Sequence, residues 1–234
     1  APVVYVDGQP QVLPVLDLGF EPEPGGAVYA INDAEQIVGH SGGTFEADFA
    51  IGYVCLHTHA TLWEHGQPVD LGTLDDHPSS MAYAINNGGV VVGHSGVASS
   101  GASRAFVWSK KTGMVDLGMP SGWLSAWALG INDRGEIVGS VSEAGDPQFG
   151  FPSEYGDPPG PYVTRLNHAV LWKDGQCIDL EDFVAADSAW TLYNAAAINA
   201  RGQILTWAAK ANDGSVPGWT QPYIIHLILL DPNK

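Results

Sequence analysis

Three groups of side chains in this sequence have the types and spacing to do chemistry. In Cys55-Leu56-His57-Thr58-His59, strand alternation would put Cys55, His57 and His59 on one side. A thiolate with two imidazoles suits a soft or borderline divalent metal. The competing reading makes His59 part of a recurring pattern and Cys55 a small buried hydrophobe. His40 and His94 each follow Val-Gly and precede Ser-Gly. They therefore share one place in successive repeats, where two imidazoles would converge as ligands or as acid–base groups; the alternative is a hydrogen bond to neighbouring backbone. Ser140 and Thr206 are expected at the corresponding places of the other copies. Asp75-Asp76-His77 sets carboxylates beside an imidazole, so Asp76 and His77 are candidates for general acid–base work, although in an acidic protein such a loop is usually solvated surface.

A fourth group is aromatic. Phe45, Phe49 and Tyr53 crowd one segment, Phe149, Phe151, Tyr155 and Tyr162 a second, and Trp219 a third, with Glu46, Asp48, Glu154 and Asp157 among them. Aromatic planes beside carboxylates suit stacking on sugar rings with the acids accepting hydroxyl protons, and Trp127 joins them as a ligand-binding candidate. The same aromatics would also serve to pin long Pro- and Gly-rich loops onto a rim. There is no Gly-x-Ser-x-Gly elbow, His-Glu-x-x-His helix or phosphate-cradling glycine loop.

These groups hang on a repeat. Ala30-Ile31-Asn32, Ala84-Ile85-Asn86, Gly130-Ile131-Asn132 and Ala197-Ile198-Asn199 each lead through a short turn into an apolar segment: Ile37-Val38-Gly39, Val91-Val92-Gly93, Ile137-Val138-Gly139 and Ile204-Leu205. A second element ends in Trp63, Trp108 or Trp172 and runs through a turn into Asp70-Leu71, Asp116-Leu117 or Asp179-Leu180; Asp17-Leu18-Gly19 precedes the first copy. The intervals between these Asp-Leu pairs are unequal, so constant strands are separated by connections of varying length.

Each repeat reads as four short strands a, b, c and d, the size of a propeller blade. The a-to-b links carry Asn, Asp and Gly, where a tight hairpin needs residues tolerant of positive φ; calcium ligation is the other use of such residues. The Trp of strand c, alternating with apolar residues, belongs between sheets. The expected fold is all-β, a small propeller of four-stranded antiparallel blades, four favoured and five the alternative. Repeats run about 17–69, 70–115, 116–178 and 179–230, with an N-terminal half-blade at 3–19, all in one domain 1–234. Val4-Tyr5-Val6-Asp7-Gly8-Gln9-Pro10 mirrors Leu62-Trp63-Glu64-His65-Gly66-Gln67-Pro68, so N-terminal strands are expected to pair with the C-terminal blade and close the ring, removing exposed edges. Up-down alternation then gathers the long b-to-c and d-to-a loops at one end, the candidate functional face.

The pattern Asp-Leu-Gly, Ala-Ile-Asn-Asp-x-Gly-x-Ile-Val-Gly and His-Ala-x-x-Trp resembles the HAF family of probable extracellular repeats across roughly residues 4–210. Its His-Ala-Phe signature stands here as His59-Ala60-Thr61, Arg104-Ala105-Phe106 and His168-Ala169-Val170. The resemblance implies an exported repeat protein and transfers no catalytic residue.

Composition narrows the partners. Nine Lys and Arg face 26 Asp and Glu, a net charge of −17, which disfavours nucleic acid and anionic membranes. No apolar run reaches the roughly 18 residues of a spanning helix, so membrane insertion is not expected. Residue 1 is Ala, consistent with a secreted chain that has lost a signal peptide. Cys55 and Cys177 could bridge in an oxidising compartment, although they sit in non-neighbouring repeats. The expected function is a secreted binding module for a glycan, cell-surface polymer or protein on the long-loop face. The alternative is a secreted polysaccharide hydrolase or lyase, with no cofactor beyond a possible divalent metal.

Overall fold

The computed structural model describes residues 1–19, 25–48, 52–75, 77–96, 103–143, 167–185, 187–188, 190–210 and 226–230. Among them every regular element is a strand except a single 3-10 turn at Leu180–Phe183. A hairpin of β1 (Val3–Val6) and β2 (Gln9–Val12) opens the chain. Sheet I holds β3 (Gly26–Ile31), β4 (Ile37–Ser41), β7 (His59–Glu64) and β8 (Gln67–Asp70); between β4 and β7 lies a separate hairpin of β5 (Thr44–Asp48) and β6 (Gly52–Leu56). Sheet II is β9 (Ser79–Ile85), β10 (Val91–Gly96), β11 (Arg104–Ser109) and β12 (Gly113–Asp116). Sheet III is β13 (Ser125–Ile131), β14 (Ile137–Ser142), β15 (Asn167–Lys173) and β16 (Gln176–Asp179). Sheet IV has three strands, β17 (Trp190–Ile198), β18 (Ile204–Lys210) and β19 (His226–Leu230). The protein is thus all-β, with three four-stranded antiparallel sheets whose strands neighbour one another in chain order.

The a-to-b turns show what the repeated asparagine does. Only the fourth turn residue has positive φ, at Glu35, Gly89, Gly135 and Gly202, as in a type I turn closed by a left-handed residue. The asparagine is there for its side chain rather than for its backbone. Asn32 Oδ1 accepts from the Ala34 and Gln36 amides, while its Nδ2 donates to Gln36 Oε1 at 2.7 Å and to the Asn86 carbonyl of the next sheet at 3.0 Å. Asn86 Nδ2 donates in turn to the Asn132 carbonyl, and Asn132 Nδ2 to the Asn199 carbonyl, both at 3.1 Å. One amide ladder therefore stitches sheets I to IV in sequence.

A bulge explains the repeated glycines. The a–b register shifts between Val28 and Ala30, Val92 and Gly93, and Ala128 and Gly130. It brings an a-strand carbonyl onto strand b: a Cβ on Gly39, Gly93 or Gly139 would stand 1.9, 1.9 or 1.8 Å from the carbonyl oxygen of Ala27, Met81 or Trp127. No side chain fits there. In sheet IV, where Thr206 replaces this glycine, β17 shifts register twice.

Apolar residues of facing sheets fill the spaces between them. Val38, Ala60 and Leu62 of sheet I meet Ala82, Ile85, Val91, Phe106 and Trp108 of sheet II; Val92 and Ala105 meet Ala128, Ile137 and Trp172; Val138 and Leu171 meet Leu192, Ala195 and Ile204. All three repeat tryptophans are buried. Val4 and Leu13 of the first hairpin pack against Ile37 and Trp63 of sheet I.

Two expectations change. Leu13 N–H donates to the Pro2 carbonyl at 2.9 Å as Leu71 does to Ala60 and Leu117 to Ala105, and Trp63 Nε1 donates to the Pro14 carbonyl as Trp172 Nε1 does to that of Gly118. Val12-Leu13-Pro14 therefore holds the place of Asp116-Leu117-Gly118. Asp17-Leu18-Gly19 lies beyond the strand and shares only the local turn in which the Gly amide donates to the Asp carboxylate. Second, β1 pairs with β2 alone, and the strand beside β18 is β19; pairing of the N-terminal strands with sheet IV is not seen among the described residues.

Gly93→Ala should lower stability by about 3 kcal/mol, because the methyl group meets backbone rather than a side chain that can turn away. Gly66→Ala, with no atom within 4 Å of its Cβ but φ +73°, should cost about 1 kcal/mol. Urea unfolding of the two variants checks the order.

Candidate functional site

Because strands a to d are neighbours in each sheet, the a–b and c–d turns share one end and the longer connections the other. At the long-loop end the bulge turns Tyr29 and Tyr83 out of register, at one repeat position. Strand b brings His40 and His94 alongside. Tyr29 Oη and His40 Nδ1 are hydrogen-bonded at 3.2 Å. The ring centroids of Tyr29 and His40 lie 5.6 Å apart, of Tyr29 and Tyr83 5.5 Å, and of Tyr83 and His94 5.4 Å with the last pair stacked. Four rings thus run continuously from sheet I to sheet II, at offset-stacking and tilted distances.

Burial governs the charge of this row. His40 is 2% exposed, and desolvation pushes its imidazole down to about 4. His94 is pushed down to about 4 by burial and then by the positive fields of His40 and His77. Both rings are neutral at pH 7. While Nδ1 of His40 bonds the Tyr29 hydroxyl, its Nε2 is buried and has no partner; His94 Nδ1 is likewise buried and unpaired. In sheet III the equivalent residue is Ser140, whose Oγ is also unpaired, and in sheet IV Asn194 Oδ1 is unpaired opposite Trp207. An unsatisfied buried polar atom costs about 1–3 kcal/mol, so four at one level of successive sheets mark a place not optimised for stability alone. The register also corrects the expected equivalence: Trp207, not Thr206, stands where His40 stands, since Asn194 faces Trp207 as Ala27 faces His40.

The other candidates separate from this row. Cys55, His57 and His59 do not share a strand. β6 ends at Leu56, His57 has φ 58°, and His59 starts β7; a left-handed residue between the strands breaks the alternation. No three His, Cys, Asp or Glu side chains among the described residues converge as metal ligands. His59 Nδ1 is 2.9 Å from an Asp70 carboxylate oxygen, His168 Nδ1 is 2.6 Å from Asp179, and Arg104 pairs with Asp116. The first residue of each His-Ala signature therefore holds the aspartate of its own Asp-Leu, a pairing unnoticed in the sequence although both motifs recur in step. The Asp179 hydrogen bond raises the His168 imidazole, and Trp123 covers that ring at 4.8 Å between centroids.

His77 Nδ1 lies 3.3 Å from Ser95 Oγ, whereas Asp75 pairs with Arg104 at 3.0 Å, so neither is poised toward the other; Asp76 lies outside the described residues. Trp127 is buried at 4% exposure within sheet III and offers no surface to a ligand. Phe45 faces Cys55 and Tyr53 faces Ala47 in the β5–β6 register; their side chains lie outside what is described, as do Phe49, Phe149, Phe151, Tyr155 and Trp219 entirely. Cys177 is a free thiol pushed up by burial to about 12, so it bears no bridge to Cys55 and is a poor nucleophile. A cavity of about 480 Å³ lined by Arg134, Gly135, Glu136, Lys173 and Asp174 sits at the opposite, turn end. Arg134 and Lys173 both pair with Glu136 there: burial works against ionised Glu136, but hydrogen bonds from Asn132, Lys173 and Arg134 outweigh it and hold the carboxyl at about 2.

No family model, curated protein or solved structure matches the chain.

The row predicts an acid-sensitive fold. With folded pKa values below the unfolded one, His40 and His94 add stability that is complete above about pH 6.5 and is lost as pH falls through about 4, up to about 3 kcal/mol for each. His168, raised in the folded state, acts oppositely: its contribution is present below its ordinary value and fades as pH rises. Urea unfolding from pH 7.5 to 4 should show the loss, and His40→Leu with His94→Leu should flatten it; an unchanged slope would contradict the assigned burial.

Proposed function

We propose that the four sheets are blades of a propeller-type array of HAF-like extracellular repeats, and that the protein is an exported binding module whose long-loop end takes a glycan. The same face would also suit a cell-surface polymer or protein, but hydroxyl-rich ligands answer its chemistry best. The observation that carries this is the ring row from His40 to His94, in which Tyr29, 40% exposed, and the half-buried Tyr83 and His94 are the members that reach the surface, with buried His40 supporting Tyr29 from behind. Stacked rings offer planes to a sugar, and neutral imidazole, hydroxyl and amide groups offer donors and acceptors without charge. The adjacency of sheets, the amide ladder and the buried repeat tryptophans support the blade reading; the pairing of His59, Arg104 and His168 with the Asp-Leu aspartates supports one recurrent motif. The strong acidity argues against nucleic acid as the ligand. No helix among the described residues is long and apolar enough to cross a membrane.

The hydrogen-bonded Tyr29–His40 pair favours one rival, a polysaccharide lyase in which neutral His40 takes a proton and Tyr29 gives one. Binding is preferred because a general base must reach its proton within hydrogen-bond distance, and His40 is almost wholly covered.

A glycan array probed with the purified protein, with product release assayed on the same polysaccharides, tests both. The expected result is retention of a glycan class without turnover, weakened about tenfold or more by Tyr83→Ala or His94→Ala, the scale of one lost stacking or polar contact. Retention unaffected by both variants would overturn the site. Product release abolished by His40→Ala and Tyr29→Phe would replace the binding module with the lyase.

A further inference from the structure

The two ends of the array each lack what the other could supply. The first hairpin has the geometry of strands c and d: the bonds from Leu13 to Pro2 and from Trp63 to Pro14 are those of complete sheets. Among the described residues its inner edge has no strand beside it, although the corresponding edges of β7, β11 and β15 pair with β4, β10 and β14. Residues that inner strands would cover are open: Ile31 is 59% exposed against 9% for its counterpart Ile85, and Tyr5 72% against 1% for Trp63. At the far end, Leu205 and Ala197 are less covered than Val38, Val92 and Val138, which are wholly buried. Asn199 Nδ2 bonds within its own turn to Gln203 Oε1, and among the described residues no following turn continues the ladder. Inner strands β3 and β9, β9 and β13, and β13 and β17 pack on one another, whereas no comparable packing joins β17 to β3.

The edge of β18 is where the hairpin would fit, and β19 is already there. Ile204 faces Leu230 as Ile37 faces Trp63, Val91 faces Trp108 and Ile137 faces Trp172. Four b strands thus have five c-type strands available. We propose that β1 and β19 are alternative occupants of the β18 edge within one molecule. In the structure described, β19 holds the edge and the array is open. When β19 leaves, β1 takes its place with Tyr5 opposite Ile204 and Val4 opposite Leu205. The hairpin completes sheet IV, Ile31 is covered by β17, and Asn199 Nδ2 reaches the Asn32 carbonyl. The drive is burial of Tyr5 and Ile31 and removal of an unpaired strand edge; the opposing term is the loss of the β18–β19 ladder. The exchange rests on the blade reading, because only a ring of like sheets makes the two ends complementary.

Disulfide trapping in the full chain, with Cys55 and Cys177 replaced by serine, distinguishes the states. Val4→Cys with Leu205→Cys reports β1 on the edge, and Leu205→Cys with Leu229→Cys reports β19, which faces Leu205 in this structure. The proposal expects both pairs to oxidise within single molecules. Tyr5→Cys with Ile204→Cys, one step along the register, serves if the first pair does not fold. Oxidation of the Leu205–Leu229 pair alone overturns the exchange while leaving the blades intact; oxidation of Val4 or Tyr5 pairs alone overturns it by removing β19 from the edge. Crosslinks found only between molecules overturn the single-chain exchange. Scattering that shows sheets I to IV not stacked side by side would instead remove the blade reading itself.

Discussion

The structure depends on one amide. Asn32, Asn86 and Asn132 each close their own turn and bond the next sheet with the same side chain, so the path of a turn and the seating of its neighbour cannot be set separately. At Asn32 and Asn132 both amide donors and the carbonyl oxygen are engaged, and a fully satisfied buried polar group specifies geometry more sharply than apolar packing does. Once the turns are in step, the bulge falls at one level of every a strand, glycine is demanded opposite three of the a-strand carbonyls, and the next residue of strand b is delivered to the long-loop end. His40 and His94 stand there for that reason.

The two ends of the sheets are built to different standards. At the turn end, Glu136 gathers Asn132, Arg134 and Lys173, and the Asn87 amide bonds to Asp133 of the following sheet. Among the described residues no buried side-chain polar atom of these turns lacks a partner, as expected of a scaffold. At the other end, imidazole, hydroxyl and amide atoms are buried without partners. The longer connections are nonetheless anchored: the Leu16 amide donates to Ser41 Oγ and the Leu74 amide to Ser95 Oγ. A rigid frame with locally unsatisfied groups is the usual physical signature of a site.

The frame was more legible in the sequence than the site. The Asn turns, the Val-Gly pairs and the tryptophans recur at fixed offsets, and each does a job that its residue type announces. Two readings went astray where local likeness competed with register. Asp17-Leu18-Gly19 copies the turn of Asp70-Leu71-Gly72 but sits five residues past the strand end at Val12, and sheet IV drops the glycine, so Trp207 rather than Thr206 stands in the His40 position. Cys55, His57 and His59 looked like one strand because nothing in their residue types announces the positive φ at His57. Nothing in the residue types marks Tyr29 and Tyr83, although each lies three residues before its turn asparagine. A bulge turns such a residue from the expected face, and alternation alone does not reveal it. The partner of each signature histidine was equally hidden, since a cross-strand pair between c and d needs the register, not the motif, to be seen.

Hydrogen exchange on Asn86→Ala tests the ladder most directly. If the Asn86 amide couples sheets II and III, protection should fall in β9 and β10 and also at the Asn132 turn and the facing ends of β13 and β14. Loss of protection confined to the Asn86 turn and its own two strands would contradict the account, leaving the asparagines as independent turn residues and the sheets joined by apolar packing alone.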